Sequence, residues 1–403
     1  MPDSQIEHRS SALLIGHAIV ALSVAAFGSG MSMRVMDPML VRLSMDFSIP
    51  IGLASWSITV FGIAYGFSQF LFGPLGDRYG KVKVIALGCG ACSLAAAACA
   101  AAPDFSWLLA ARIFGGATAA SIIPLAMAWI GDVVAYDQRQ TVLAKFLIGQ
   151  ILGLSAGVFI GGLCADYLTW RIPFLLIAAW FSLIGLYLGL LNKRLPGHTH
   201  IVQLGEGSGI SRLLREFSLV VSVPWARVVL LTVCLEGSAV FGGLAFIPAH
   251  LHTIHNLSLS SSGALVMLFG LGGLLFAVRS RSWVARFGEV GLIRGGALLM
   301  SGSLVSLGWL PVWWLAMPAC FLFGLGFYMM HNTLQINATQ MAPERRGAAV
   351  AAFASCFFLG QSLGVAIFGS LLISVGTPIL LTIASLLVLL VGSHFAKRRN
   401  QKI

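Results

Sequence analysis

The sequence predicts an all-α membrane protein of twelve transmembrane helices arranged as two pseudo-symmetric six-helix bundles, and three observations predict it. The first is composition. Of 403 residues, 58% are hydrophobic and only 10% charged, with a mean hydropathy of +0.91, whereas soluble domains carry about a quarter charged residues. The second is length: the apolar residues fall into twelve runs, each long enough at about 1.5 Å per residue to cross a hydrocarbon core of about 30 Å. The third is repetition. The only long polar stretch, residues 192–226, divides the runs six and six, and a shift of 207 positions lays Arg139, Phe146, Leu152, Gly153, Ser155, Gly157 and Gly162 on Arg346, Phe353, Leu359, Gly360, Ser362, Gly364 and Gly369. The expected units are therefore residues 1–192, a central loop 193–226, and residues 227–403.

In chain order, the first span (14–36) follows a polar start, Met1 to Ser11, and lacks a small-residue cleavage site, so it reads as a retained helix. The second (50–72) and third (83–102) enclose a short charged segment. The fourth (107–131) carries Arg112 and the fifth (142–163) a ladder of glycines; the sixth (172–191) is uninterrupted. After the central loop, the seventh (227–249) carries Glu236. The eighth (260–280), ninth (290–310), tenth (312–334), eleventh (350–373) and twelfth (377–396) complete the count. All seven cysteines lie inside these runs and read as small buried hydrophobes, with no disulfide or zinc spacing.

The net charge of +11 would suggest nucleic acid in a soluble chain, but its placement excludes that reading. Lys81, Lys83, Arg139, Lys193, Arg194, Arg279, Arg286, Arg345, Arg346 and Lys397–Arg399 occupy alternate connections or the tail. The intervening loops near 103–106, 311–313 and 374–377 carry no Lys or Arg. The positive-inside rule then places both termini in the cytoplasm. The partner is a lipid bilayer and not nucleic acid.

Between the second and third spans lies Gly73-Pro-Leu-Gly-Asp77-Arg78-Tyr-Gly80-Lys81-Val-Lys83. This segment resembles the signature loop G-x-x-x-D-R-x-G-[RK]-[RK] of the major facilitator superfamily, with the second basic position displaced to Lys83. The resemblance extends over nearly the whole chain. It implies two parallel bundles related by an axis along the membrane normal, with substrate handled between them near the midplane. It also implies a conformational latch: Asp77 against the start of the eleventh helix, and Arg78 reaching Asp132 at the end of the fourth. A topogenic role for these charges is the alternative. The degenerate copy in the second half keeps Arg286-Phe-Gly288 but has Ala285 and Glu289 where the first has Asp77 and Lys81.

The resemblance narrows the function to secondary active transport, with proton-coupled efflux of a small organic or drug-like molecule as the main reading. Proton-coupled uptake and a non-transporting sensor are the alternatives. No nucleotide-binding loop and no nucleophile–base constellation is present, so neither ATP-driven pumping nor enzyme activity is expected. The energy source is a proton gradient, no cofactor is implied, and the working unit is a monomer in the inner (plasma) membrane.

Four ionisable residues are candidates for proton coupling. Glu236 stands about nine residues into its span, roughly 13 Å deep by helix rise, and a charge at that depth costs about 2.5–3.5 kcal/mol, so it should face a cavity. Arg112, in Leu108-Leu-Ala-Ala-Arg112-Ile-Phe-Gly115-Gly116, resembles the superfamily's fourth-helix motif, in which an Arg assists proton transfer; snorkelling to the outer interface or bridging helix carbonyls is the alternative. Arg34 and Asp37, just before Pro38, share a face at i, i+3 and can pair, and both can partner Arg112 if the first and fourth helices touch; an interfacial structural pair is the alternative. The run Gly153, Gly157, Gly161, Gly162 resembles the antiporter motif of the fifth helix, with Val158 in place of its proline, and allows close backbone approach in any case. Trp129, Gln150, His331, Asn332 and Gln335 are candidates to line a cavity. His250, His252 and His255 form a weaker metal candidate in an outer loop, with no acidic or thiol ligand beside them.

Overall fold

A computed structural model describes residues 2–196 and 210–401, and they fold as helices joined by short turns. In lipid this is the expected outcome, because a helix satisfies its backbone polar groups internally. The first half contains α1 (Pro2–Arg34), α2 (Leu40–Asp46), α3 (Ile51–Ala54), α4 (Trp56–Tyr79), α5 (Lys81–Ala100), α6 (Phe105–Ala119), α7 (Ile122–Val133), α8 (Tyr136–Tyr167) and α9 (Ile172–Asn192). The second contains α11 (Pro224–Leu244), α12 (Ile247–His255), α13 (Leu259–Gly308), α14 (Ala316–Gln340) and α15 (Arg346–Asn400), with α10 (Ile210–Ser222) between the halves.

Among the described residues, ten continuous segments are long and apolar enough to cross a membrane. Two of them, within α13 and α15, are interrupted by glycines of positive φ, Gly288 at 63° and Gly376 at 74°. Each such glycine reverses the chain, so the ten segments make twelve crossings. Leu94, Leu183, Leu186, Val278 and Ile373 point outward unburied, as lipid-facing side chains must.

Proline and glycine set the breaks that periodicity alone does not show. α1 stops at Arg34 and restarts as α2 beyond Pro38, whose ring disfavours helical backbone at Asp37. α12 begins with Pro248 in its first turn, where a missing N–H costs nothing. The signature segment is less of a loop than its composition suggests. Gly73 to Tyr79 forms the last turns of α4, and only Gly80 (φ 91°, ψ 124°) leaves helical geometry. The expected central loop likewise contains α10, whose Phe217 meets Phe70 of α4 edge-on at 5.5 Å and whose Glu216 pairs with Arg345 at 3.1 Å. The Gly/Ser-rich segment Gly205–Gly209 lies outside the described residues.

Within the first half α1 packs on α8, α5 on α9 and α4 on α6; within the second, α11 packs on α15 and α13 on α14. The halves meet where α3 and α4 pack on α15 and where α8 packs on α13. These contacts run toward the end of the molecule opposite the Lys/Arg-rich turns. There Gly52 of α3 lies against the backbone of Gly369, and Gly162 of α8 against that of Leu259. At the basic end Lys81 pairs with Asp77 and Asp132 inside the first half and Arg399 with Glu289 inside the second, while Arg345 reaches Glu216 of the intervening α10.

Candidate proton and substrate site

The second half holds one acid at membrane depth. Glu236 is fully buried, and its Oε2 lies 2.8 Å from Nδ1 of His331 on α14. Close backbone packing places it there: Gly237 sits against the Phe357 carbonyl and Gly360 against Cys234, so α11 and α15 pinch together around the carboxyl group. The acid therefore faces protein and not lipid. Its Oε1 has no partner. His331 is the outward member of the pair at 16% side-chain exposure, and it stacks on Phe327 at 4.9 Å and tilts against Phe357 at 4.5 Å and Phe353 at 5.5 Å. Of the two groups, the His331 imidazole is the one that links the buried carboxyl group to the more exposed side.

The first half holds the other three candidates. Arg34 and Asp37 form a buried ion pair across the break between α1 and α2. The Arg34 guanidinium also lies over the ring of Phe241, 5.1 Å from its centroid, and Phe241 belongs to α11 of the other half. Arg112 does not bond to either residue. Its Nε donates to the Ser57 carbonyl (2.9 Å) and its Nη1 to the Ser32 carbonyl (3.0 Å), tying α6 to α4 and α1, and the Phe61 ring lies 4.0 Å beneath it. The carbonyl-bridging alternative thus describes its contacts in this state, with Nη2 left unpartnered. Asp37 remains within its electrostatic reach.

The signature residues differ from the expected pairing in one respect. Lys81, not Arg78, reaches Asp132, at 2.9 Å, while also holding Asp77 at 2.9 Å. Arg78 is exposed and lies over its neighbour Tyr79. The helical backbone through Tyr79 explains this: Lys81 begins α5 and turns back to the α7 end, while Arg78 is carried to the outer face. Asp77 makes its ion pair inside its own half, and not with α15.

Gly153 and Gly157 lie against the backbone of Phe27 and Met31 on α1, Gly161 against that of Val35 just beyond its end, and Gly162 turns to α13 of the other half. Among the cavity candidates only His331 joins Glu236. Trp129 is buried with its indole N–H unpartnered. Gln150, Asn332 and Gln335 are half-buried, and no hydrogen bond links them to the pair among the described residues. The three histidines lie on or at the end of α12: His250 Nδ1 meets Thr377 Oγ1 at 2.6 Å and His252 Nδ1 the Leu257 carbonyl at 2.7 Å, so they stitch helix ends together.

Sequence reasoning missed Asp166. This carboxylate, at the end of α8, accepts the backbone N–H groups of Leu259 (3.0 Å) and Ser260 (2.6 Å), capping α13 across the boundary between halves. A negative charge at a helix N-terminus satisfies orphan donors and the helix dipole together. The legible signal was its place one turn past Gly161-Gly162. Replacing Asp166 by Ala should weaken closure at this end by about 1.5–3 kcal/mol, the range for hydrogen bonds to a charged group. A cysteine placed at Ser258 should then label faster with a membrane-impermeant thiol reagent; unchanged labelling would remove Asp166 from the closure.

Long apolar helices gathered in two bundles that meet through paired helices define a polytopic membrane protein. The sequence model of the Major Facilitator Superfamily matches residues 22–365, and the chain belongs to that superfamily. It is 25% identical over 349 residues to the uncharacterized MFS-type transporter YceJ of Bacillus subtilis, covering 86% of each chain. It is 24% identical over 367 residues to the quinolone resistance protein NorA of Staphylococcus aureus, covering 88% of this chain and 92% of that one. Among solved structures, nucleoside transporter NupG superimposes with a TM-score of 0.76 at 12% identity, over 94% of this chain and 98% of that one. The protein is accordingly a transporter of the superfamily and not an enzyme.

Proposed function

We propose that the protein exports a small organic molecule from the cell in exchange for protons, by alternating access between two rigid halves, residues 1–192 and 227–403. The observation that carries this reading is the Glu236–His331 pair: a fully buried acid with one free oxygen, whose imidazole partner is 16% exposed among largely buried aromatic rings. The first half has no acid at the corresponding depth, since aligning Pro38 with Pro248 sets Glu236 opposite Ala26. One half thus binds the proton and the other answers by moving. In this reading the basic end is cytoplasmic, both termini lie there, the membrane is the inner (plasma) membrane, and a single chain is the working unit. No cofactor takes part; the proton gradient supplies the energy.

The halves are packed together at the end opposite the basic turns, by Asp166 on α13 and Gly52 on α15, a state through which exporters and importers both pass; export rather than uptake is supported by the relatives. A quinolone resistance protein stands among them. In the latch reading, Asp77, Lys81 and Asp132 hold the α4–α5 corner within its own half in this state, and Asp77 exchanges to α15 when the basic end closes.

The test is flux in proteoliposomes with an acid lumen and a norfloxacin-type fluorescent probe. Exchange predicts probe accumulating in the lumen while the lumen turns alkaline. Probe moving in the same direction as the protons would instead establish uptake by symport.

A further inference from the structure

A second charged feature lies between the halves, separate from Glu236. A narrow cleft there is walled by Arg34 from α1, Leu154 and Ser155 from α8, Phe241 from α11, Phe269 from α13 and Tyr328 from α14. Every side chain of this wall is apolar or neutral except Arg34, which is 3% exposed and has an Nη1 with no hydrogen-bond partner.

The charge inventory behind the wall is unbalanced. Arg34 pairs with Asp37, and Arg112, also buried, lies within electrostatic reach of that same carboxylate. Two buried guanidinium groups thus stand near a single carboxylate that bonds Arg34 alone, and Arg112, held by the Ser57 and Ser32 carbonyls, keeps an unpartnered Nη2. Arginine does not give up its proton to relieve such a site. A buried net charge of one positive unit at membrane depth is costly until an anion compensates it.

We propose that this cleft is a substrate subsite for small organic monoanions, carboxylates with an aromatic or aliphatic body, whose head group binds Arg34 and whose body packs on Phe241 and Phe269. A carboxylate oxygen supplies the acceptor that Nη1 lacks and balances the surplus charge of the Arg34–Asp37–Arg112 group. A bidentate grip is not required; one charge-assisted bond at an already buried guanidinium is a strong one. In the present state the cleft has little more room than a water needs, so the body enters as the halves part, and the cleft is filled from the open end. The proposal rests on the reading of the chain as a transporter of small organic molecules, and it names their class.

Equilibrium binding tests it without any gradient, so failed proton coupling would leave the result intact. The full chain in detergent is melted with benzoate and phenylbutyrate and with their neutral amides, benzamide and phenylbutyramide. The acids should raise the melting temperature and the amides should not. Arg34→Lys should bind the acids at least about tenfold more weakly, the equivalent of one charge-assisted hydrogen bond. Should Arg34→Gln fail to fold with Asp37 left unpaired, Arg34→Gln/Asp37→Asn replaces the ion pair by two neutral amides and should lose the response to acids while keeping its own cooperative melt. Equal stabilisation by acids and amides, an unchanged response in the double variant, or stabilisation by chloride matching that by benzoate would each overturn the assignment.

Discussion

Glu236→Gln is expected to abolish substrate-driven proton movement, by about a hundredfold or more if the carboxyl group is the proton carrier, as for other positioned acid–base groups. Gln keeps the size of Glu and an oxygen facing His331 Nδ1, so the contact at 2.8 Å and the packing of α11 against α15 survive. Only the ionisable proton is lost. Substrate counterflow, which needs the halves to rock but needs no net proton transfer, should continue in the variant. His331→Gln is the companion: it removes the imidazole link and leaves the carrier, so coupling should persist at a lower rate. Normal substrate-driven proton flux in Glu236→Gln would reduce Glu236 to a protonated acid bonding a neighbouring helix.

Gly153→Val should cost the protein its fold. A Cβ at Gly153 would collide with the backbone of Phe27, and backbone cannot rotate away as a side chain does. Overpacking commonly costs about 1–3 kcal/mol and sometimes more, and a collision of this kind belongs at the upper end. Relief would require α1 and α8 to separate, and these two helices carry Arg34 and Asp166. Gly189→Ala on α9 is the contrasting control. A Cβ there meets nothing within 4 Å, so that variant should be unchanged or more stable by about 0.5–1 kcal/mol, the helix penalty of glycine. Yield of monodisperse protein and its melting temperature distinguish the two. A Gly153→Val protein melting like wild type would contradict the α1–α8 contact.

The readings that were legible are those with a local physical cause. Twelve crossings could be counted because each depends only on a run of apolar residues matching a bilayer's thickness, and the family could be read from eleven consecutive residues around Asp77. The glycines of α8 announced close helix packing by their four-residue spacing, though not that Gly162 would serve the other half. Where the sequence reading and the structure part, the cause is an interaction with no local trace. Lys81 replaces Arg78 at Asp132 because the helix runs on to Tyr79, a matter of where one turn ends. Arg112 carries a motif but bonds two carbonyls from helices 55 and 80 residues away.

By itself the sequence determined the class of molecule, the number of its spans, its two related halves and the identity of each buried ionisable residue, since hydropathy and charge are properties of the residues themselves. Tertiary structure alone decided who meets whom. It joined Glu236 to a histidine 95 positions later, laid Arg34 over Phe241 of the opposite half, and set Asp166 on the start of α13. In a membrane every long helix is apolar almost all round, so no stripe marks the face that packs inward. The partner of a buried charge is therefore fixed only when the helices assemble.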